Sequence, residues 1–115
     1  MAERRRWERF ILTLAGRPGR PRCRVAVAGM DLPCEIADIS CGGMRLALAD
    51  PAARIGLLLE GQRVELASFE EDRFGFLAGK RGIVSWIKAG EREFGMCFDA
   101  VEEKTRIEEL ALPAR

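Results

Sequence analysis

Asp38, Ser40, Gly42 and Gly43 stand close together in the stretch Ile36-Ala37-Asp38-Ile39-Ser40-Cys41-Gly42-Gly43-Met44-Arg45-Leu46. In extended chain, residues two apart share a face, so Asp38 and Ser40 point the same way. A carboxylate accepts hydrogen bonds, a hydroxyl donates and accepts, and glycine lets a ligand approach bare backbone. Gathered at a strand's end, these groups form a small polar corner that suggests a ligand seat. The same residues also make a tight hairpin with Asp38 capping the turn, and by shape alone the hairpin is the simpler reading.

A second concentration of chemistry lies upstream. Residues 1–24 hold eight arginines, at positions 4, 5, 6, 9, 17, 20, 22 and 24, against Glu3 and Glu8. That segment carries +6, leaving −5 on the rest of a chain whose formal net charge is +1. No lysine stands among them. Arginine offers a planar fork that grips phosphate or a guanine edge bidentately and stacks on flat rings. An anionic partner for the N-terminal arm follows from this asymmetry.

Other chemistries are poorly provided for. The chain has no histidine, and its cysteines, Cys23, Cys34, Cys41 and Cys97, show no C-x-x-C spacing. Most zinc patterns and all histidine-based triads are thereby removed. Three of the four cysteines sit in apolar, strand-like runs, where a reduced and buried thiol is the usual finding. Cys41 beside Ser40 has no visible base to activate it. No catalytic residue, metal or cofactor is expected, and the protein is read as a binding module and not an enzyme.

The elements that must position these residues read as strands. At 115 residues the chain suits one domain. No apolar run approaches the ~20 residues of a membrane span, and residues 1–10 lack the apolar core of a secretory signal; a cytoplasmic location is expected, without membrane insertion. Residues 1–9 form a basic arm. Alternation marks strands at 10–14, 22–27, 33–40 and 44–48, with a loop at 16–21 and a turn at 29–31. Residues 55–60 are apolar but ambiguous, 64–67 is another strand, and the acidic Glu70-Glu71-Asp72 reads as a solvated loop. Strands at 82–87 and 94–98 are joined by a hairpin connection at 89–92, with Trp86 and Phe94 assigned to the core. Asp99 and Glu102 have the spacing of a capping box. A helix over about 102–112 follows, with Val101, Ile107, Leu110 and Ala111 available to pack. Six to eight short strands and one terminal helix predict an all-β fold, a small antiparallel barrel with the helix against one opening.

With these motifs in order, the chain resembles the PilZ domain, a bacterial receptor module for the second messenger cyclic di-GMP. That family carries Arg-x-x-x-Arg at or before its first strand and Asp/Asn-x-Ser-x-x-Gly further on. Asp38-Ile39-Ser40-Cys41-Gly42-Gly43 matches the second in full. Arg5-Arg6-Trp7-Glu8-Arg9, preceded by Arg4, best matches the first. Arg20-Pro21-Arg22-Cys23-Arg24 also satisfies the pattern, so two arginine pairs stay open, with Arg5/Arg9 preferred because they precede the first strand. Gly82-Ile83-Val84-Ser85-Trp86 and Phe94-Gly95-Met96-Cys97-Phe98 resemble the family's late strand pair.

The resemblance implies a barrel of about six strands over 10–115, an arm at 1–9, and the dianionic cyclic di-GMP as ligand. Arg5 and Arg9, with Arg4, would grip phosphates and guanine O6/N7. Asp38 would accept from a guanine N1–H and N2–H₂ edge, Ser40 would offer its hydroxyl, and Gly42 and Gly43 would let the ligand approach. Binding would draw the arm onto the turn and present a new surface to an unidentified protein partner. A nucleic-acid polymer is not expected, because the aromatic stacking platform is sparse and the body acidic. Trp7 stands equally as a stacking ring or a packing group, and Arg45 either lines the site or faces solvent. The competing reading is a degenerate adaptor that binds no nucleotide and works through protein contacts.

Overall fold

Alternation of apolar and polar residues builds the walls. In β2, Arg22–Val27, the side chains of Cys23, Val25 and Val27 are buried while Arg22, Arg24 and Ala26 face out. The computed structural model describes residues 10–11 and 20–111. The remaining strands are β1 Phe10–Ile11, β3 Met30–Ser40, β4 Gly43–Leu48, β5 Arg63–Phe69, β6 Arg81–Lys88 and β7 Glu93–Phe98. All neighbours are antiparallel. Six of the strands pair in the cyclic order β3-β2-β5-β6-β7-β4 and back to β3, which closes the sheet into a barrel. Closure leaves none of these six strands as a free outer edge of the sheet. β1 pairs with β3 beyond the end of β2, with Phe10 opposite Ile39 and Ile11 opposite Asp38. The predicted six-stranded barrel with a C-terminal helix is therefore observed.

The interior is filled by Val25, Ile36, Ile39, Met44, Leu46, Leu66, Phe94 and Met96, each at most 2 % exposed. Two further pieces close the core. A 3₁₀ helix at Asp72–Leu77 drives Phe74 and Leu77 fully inside, where the Phe74 ring stacks on Phe69 at 5.6 Å. The helix α1, Lys104–Ala111, buries Ile107 and Leu110. Arg73 joins the two pieces, its Nη1 donating to the Leu110 carbonyl at 2.7 Å.

Several sequence expectations are corrected. The acidic 70–72 stretch is not a plain solvated loop: Asp72 opens the 3₁₀ helix, and Glu71 is tied to Arg73 at 2.9 Å. The helix begins at Lys104, not at 102, and Asp99 and Glu102 form no capping box. Asp99 accepts instead from Arg63 (3.0 Å) and Glu102 pairs with Lys80 (3.5 Å). Val101 is exposed and does not pack. The second turn uses Ala28 and Gly29, both with positive φ, so β3 starts at Met30 and not at 33. Residues 12–14 of the first strand, the arm at 1–9 and most of the 16–21 loop lie outside the described residues.

Of three register shifts among the described residues of the barrel, the first in the β2–β5 pair, two decide which side chains reach the wall that carries the motif. The β3–β4 register shifts between Ile36 and Asp38, and the β6–β7 register shifts between Val84 and Trp86. Each inserts one residue, Ala37 or Ser85, and so re-aims the side chains beyond it. Among the described residues no helix is long and apolar enough to cross a membrane.

Candidate functional site

Cross-strand register places Asp38 (β3) beside Arg45 (β4), Arg45 beside Gly95 (β7), and Gly95 beside Trp86 (β6). These four form one row on the outer face, because Ile36, Leu46, Phe94 and Val84 fill the inner one. The next outward row runs Ser40, Gly43, Cys97 and Ile83. On the other side of the first row, Ala47 lies beside Glu93, and Glu93 beside Lys88. The result is a strip of outer wall with the motif at one end and an indole at the other.

Trp86 is the residue whose placement sequence reading mistook. The Ser85 bulge turns it outward, and it is half-buried, not in the core; Phe94 alone of the pair is fully inside. The indole packs against Gly95, where an added Cβ would come within 2.1 Å of Nε1. Lys88 sits over the ring at 5.7 Å. Trp86 thus presents a supported aromatic ring at the end of the strip away from the motif, and the only signal for it in the sequence was the glycine opposite.

The polar groups of the motif are already engaged. Ser40 is 3 % exposed; its Oγ accepts from the Gly42 N–H at 3.3 Å and donates to the Gly43 carbonyl at 3.4 Å. The hydroxyl therefore shapes the two-residue turn Cys41–Gly42. Gly43 is required by packing: a Cβ there would meet the Met96 carbonyl oxygen at 2.0 Å. Positive φ is not the reason, since the described glycines with positive φ are Gly29, Gly61 and Gly79. The turn is also pinned from behind, with Phe98 N–H donating to the Gly42 carbonyl and Glu102 N–H to the Cys41 carbonyl, both at 2.9 Å. This half of the site is preformed and rigid.

A charged chain crosses the strip. Asp38 is 6 % exposed, and its Oδ2 lies 3.0 Å from Arg45 Nε. The Nε–H makes no directed hydrogen bond, so the contact is ionic. Arg45 Nη1 stands 3.7 Å from Glu93 Oε1, and Arg20 Nη1 stands 3.6 Å from Glu93 Oε2. Arg45 therefore lines the strip, which resolves its open placement. The second arginine pair does not converge: Arg20 reaches the strip, while Arg24 Nη1 donates to Asp31 at 3.0 Å across the β2–β3 hairpin. Arg4, Arg5 and Arg9 lie outside the described residues.

The cysteines offer no nucleophile at the turn. Burial pushes the Cys41 thiol above its ordinary range, with Lys104 opposing only in part. Burial likewise pushes Cys23 up to about 12 and raises Cys34. Cys97 is exposed on the second outward row. Ellman's reagent at pH 8 should accordingly titrate Cys97 quickly in the native protein and the other three only after denaturation; rapid reaction at Cys41 would contradict its burial. Among the described residues no group of three or more histidine, cysteine or acidic side chains is placed to hold a metal.

A search of curated proteins found no match. A family model described as the PilZ domain matches residues 3–112, nearly the whole chain, and takes in both the arginine arm and the Asp38–Gly43 turn. PilZ domains are a known cyclic di-GMP-binding family, of receptor and adaptor type and without catalysis. With a closed six-stranded barrel, a C-terminal helix and the Asp-x-Ser-x-x-Gly turn on its outer wall, the chain belongs to the PilZ domain family.

Proposed function

We propose that the protein is a non-catalytic receptor for cyclic di-GMP in the bacterial cytoplasm, binding it between the arginine arm and the outward strip at the Asp38–Gly43 turn. The observation that carries this reading is the row Asp38, Arg45, Gly95 and Trp86. It sets a carboxylate, a guanidinium and a half-buried aromatic ring in one row on the outer wall. A guanine edge needs an acceptor for N1–H and N2–H₂ and a flat partner for its ring. Asp38 supplies the acceptor for one guanine, and Trp86, at the far end of the row, a flat partner for the other.

Arg5 and Arg9, with Arg4, bind the two phosphates from the arm at 1–9, and the domain proper comprises 10–115. Gly42 and Gly43 let the ligand close on the backbone, and Ser40 holds their turn in shape. Binding draws the arm across the strip, and the ordered arm becomes the surface that a protein partner reads. Titration calorimetry with cyclic di-GMP tests the reading. Micromolar or tighter binding is expected for the wild type, and Asp38→Ala should weaken it by roughly tenfold or more. No heat of binding from the wild type would discard the receptor reading.

The adaptor reading has one observation in its favour. Ser40 spends its hydroxyl on the turn and Asp38 is paired with Arg45, so both motif residues have uses without any ligand. The same titration decides between the two.

A further inference from the structure

The carboxylate of Glu93 is poorly satisfied for a group so enclosed on the strip. Its side chain is 10 % exposed, and Oε1 has no hydrogen-bond partner. Its contacts are two guanidinium groups at 3.6 and 3.7 Å, beyond the ~3.2 Å limit of a good N–H···O bond. A buried charge held by Coulomb attraction alone, without the hydrogen bonds that would offset its desolvation, is a poor stabilising device. An apolar or amide side chain of the same size would serve the barrel at least as well. Glu93 also faces outward, two residues from Gly95 on the same strand, so it belongs to the ligand's wall and not to the core.

We propose that Glu93 is a built-in competitor for the anionic ligand. Glu93 holds Arg45 and Arg20; a dianion arriving on the strip takes those guanidinium groups and must do so against the Glu93 charge. The residue therefore sets the affinity of the site downward, to a threshold concentration of ligand, without contributing to the motif itself. This rests on the receptor reading. The chemistry is electrostatic: a phosphate offers each guanidinium a bidentate, charge-assisted pair that Glu93, at its present distances, does not. Removing the carboxylate leaves Arg45 to Asp38 and the ligand, and leaves Arg20 to the ligand alone.

The test is titration of cyclic di-GMP into wild type, Glu93→Gln, Glu93→Met, Arg45→Ala and the double variant Glu93→Gln/Arg45→Ala. Glu93→Gln should tighten binding by about tenfold, as expected for lifting one poorly compensated charge from a dianion's site. Glu93→Met, which keeps the volume and removes all polarity, should do the same, and neither variant should melt below the wild type. Most of the gain should vanish in the double variant relative to Arg45→Ala, because the effect passes through Arg45. Unchanged or weaker binding in both Glu93 variants, with the wild type still binding, would overturn this inference and leave the receptor reading intact. Binding by Glu93→Gln where the wild type shows none would support the competition and discard the receptor reading for the wild type. Absence of binding in every variant would overturn both.

Discussion

With Arg5 and Arg9 both changed to alanine, cyclic di-GMP affinity falls by on the order of a hundredfold or more, because two charge-assisted contacts to a dianion are lost together. Arg20→Ala costs only a few-fold by comparison, and Arg24→Ala nothing measurable. The difference follows from where the second pair goes. Arg24 donates to Asp31 in the β2–β3 hairpin. Its Cα lies roughly 13 Å along the chain from that of Arg20, at about 3.3 Å per extended residue, and its guanidinium is occupied there. Arg20 reaches the strip, but through Glu93. Calorimetry on the double variant and on the two singles measures this directly. Loss of binding in Arg20→Ala or Arg24→Ala, with Arg5→Ala/Arg9→Ala unaffected, would reassign the arginine pair.

Phe74→Ala lowers the stability of the fold by about 3–5 kcal/mol, the usual cost of removing a fully buried phenylalanine. Against a total of about 5–15 kcal/mol for a domain, that is enough to unfold much of the population in mild urea. Phe74 is fully buried, stacked on Phe69, and covered by the Arg73 guanidinium at 4.8 Å from its ring. Its place is not easily filled by movement of neighbours, because the 3₁₀ helix that carries it is anchored at Leu77 and tied through Arg73 to α1. Urea denaturation followed by circular dichroism gives the number. A loss below about 1 kcal/mol would mean that 72–77 lies on the surface, as its acidic start implies.

That segment shows where sequence reading stops. Glu70, Glu71 and Asp72 look solvated by composition, and Asp72 begins an element whose apolar residues come later, at Phe74 and Leu77. The strands were legible because each alternates over several residues: Cys23, Val25 and Val27 inward, or Phe94 and Met96 inward with Gly95 and Cys97 outward. The 89–92 connection was legible from its glycine, although the residue that takes positive φ there is Arg92. Its guanidinium then donates to the carbonyls of Asp50, Pro51 and Ala53, a long-range tie with no local trace in the sequence.

The motif itself was legible as spacing but not as geometry. Asp38, Ser40 and Gly43 declared a turn; that Ser40 would spend its hydroxyl on that turn, and Gly43 its missing Cβ on Met96, required the neighbouring strands. The Arg45–Glu93 contact joins residues from β4 and β7, and only the register between them brings the two together. Trp86 was lost to a bulge, since strict alternation from Val84 would have put it in the core.

The bulge at Ala37 has a consequence for how this wall tolerates changes of length. It acts as a phase shift in the period-two code of β3: before it the even-numbered Cys34 and Ile36 face the lumen, and after it the odd-numbered Ile39 does. Asp38 shares the parity of Ile36, so it stands on the outer wall only because Ala37 drops out of the count. Deleting Ala37 would therefore leave every other side chain of β3 on its own side, since Ile36, Asp38 and Ile39 would then alternate in an unbroken ladder. Deleting Ile36 or Ile39 instead would take away a lumen residue and set its neighbours out of phase. At this one position the strand can lose a link without misspelling the motif, and relatives one residue shorter here would still write it on the outside of the barrel.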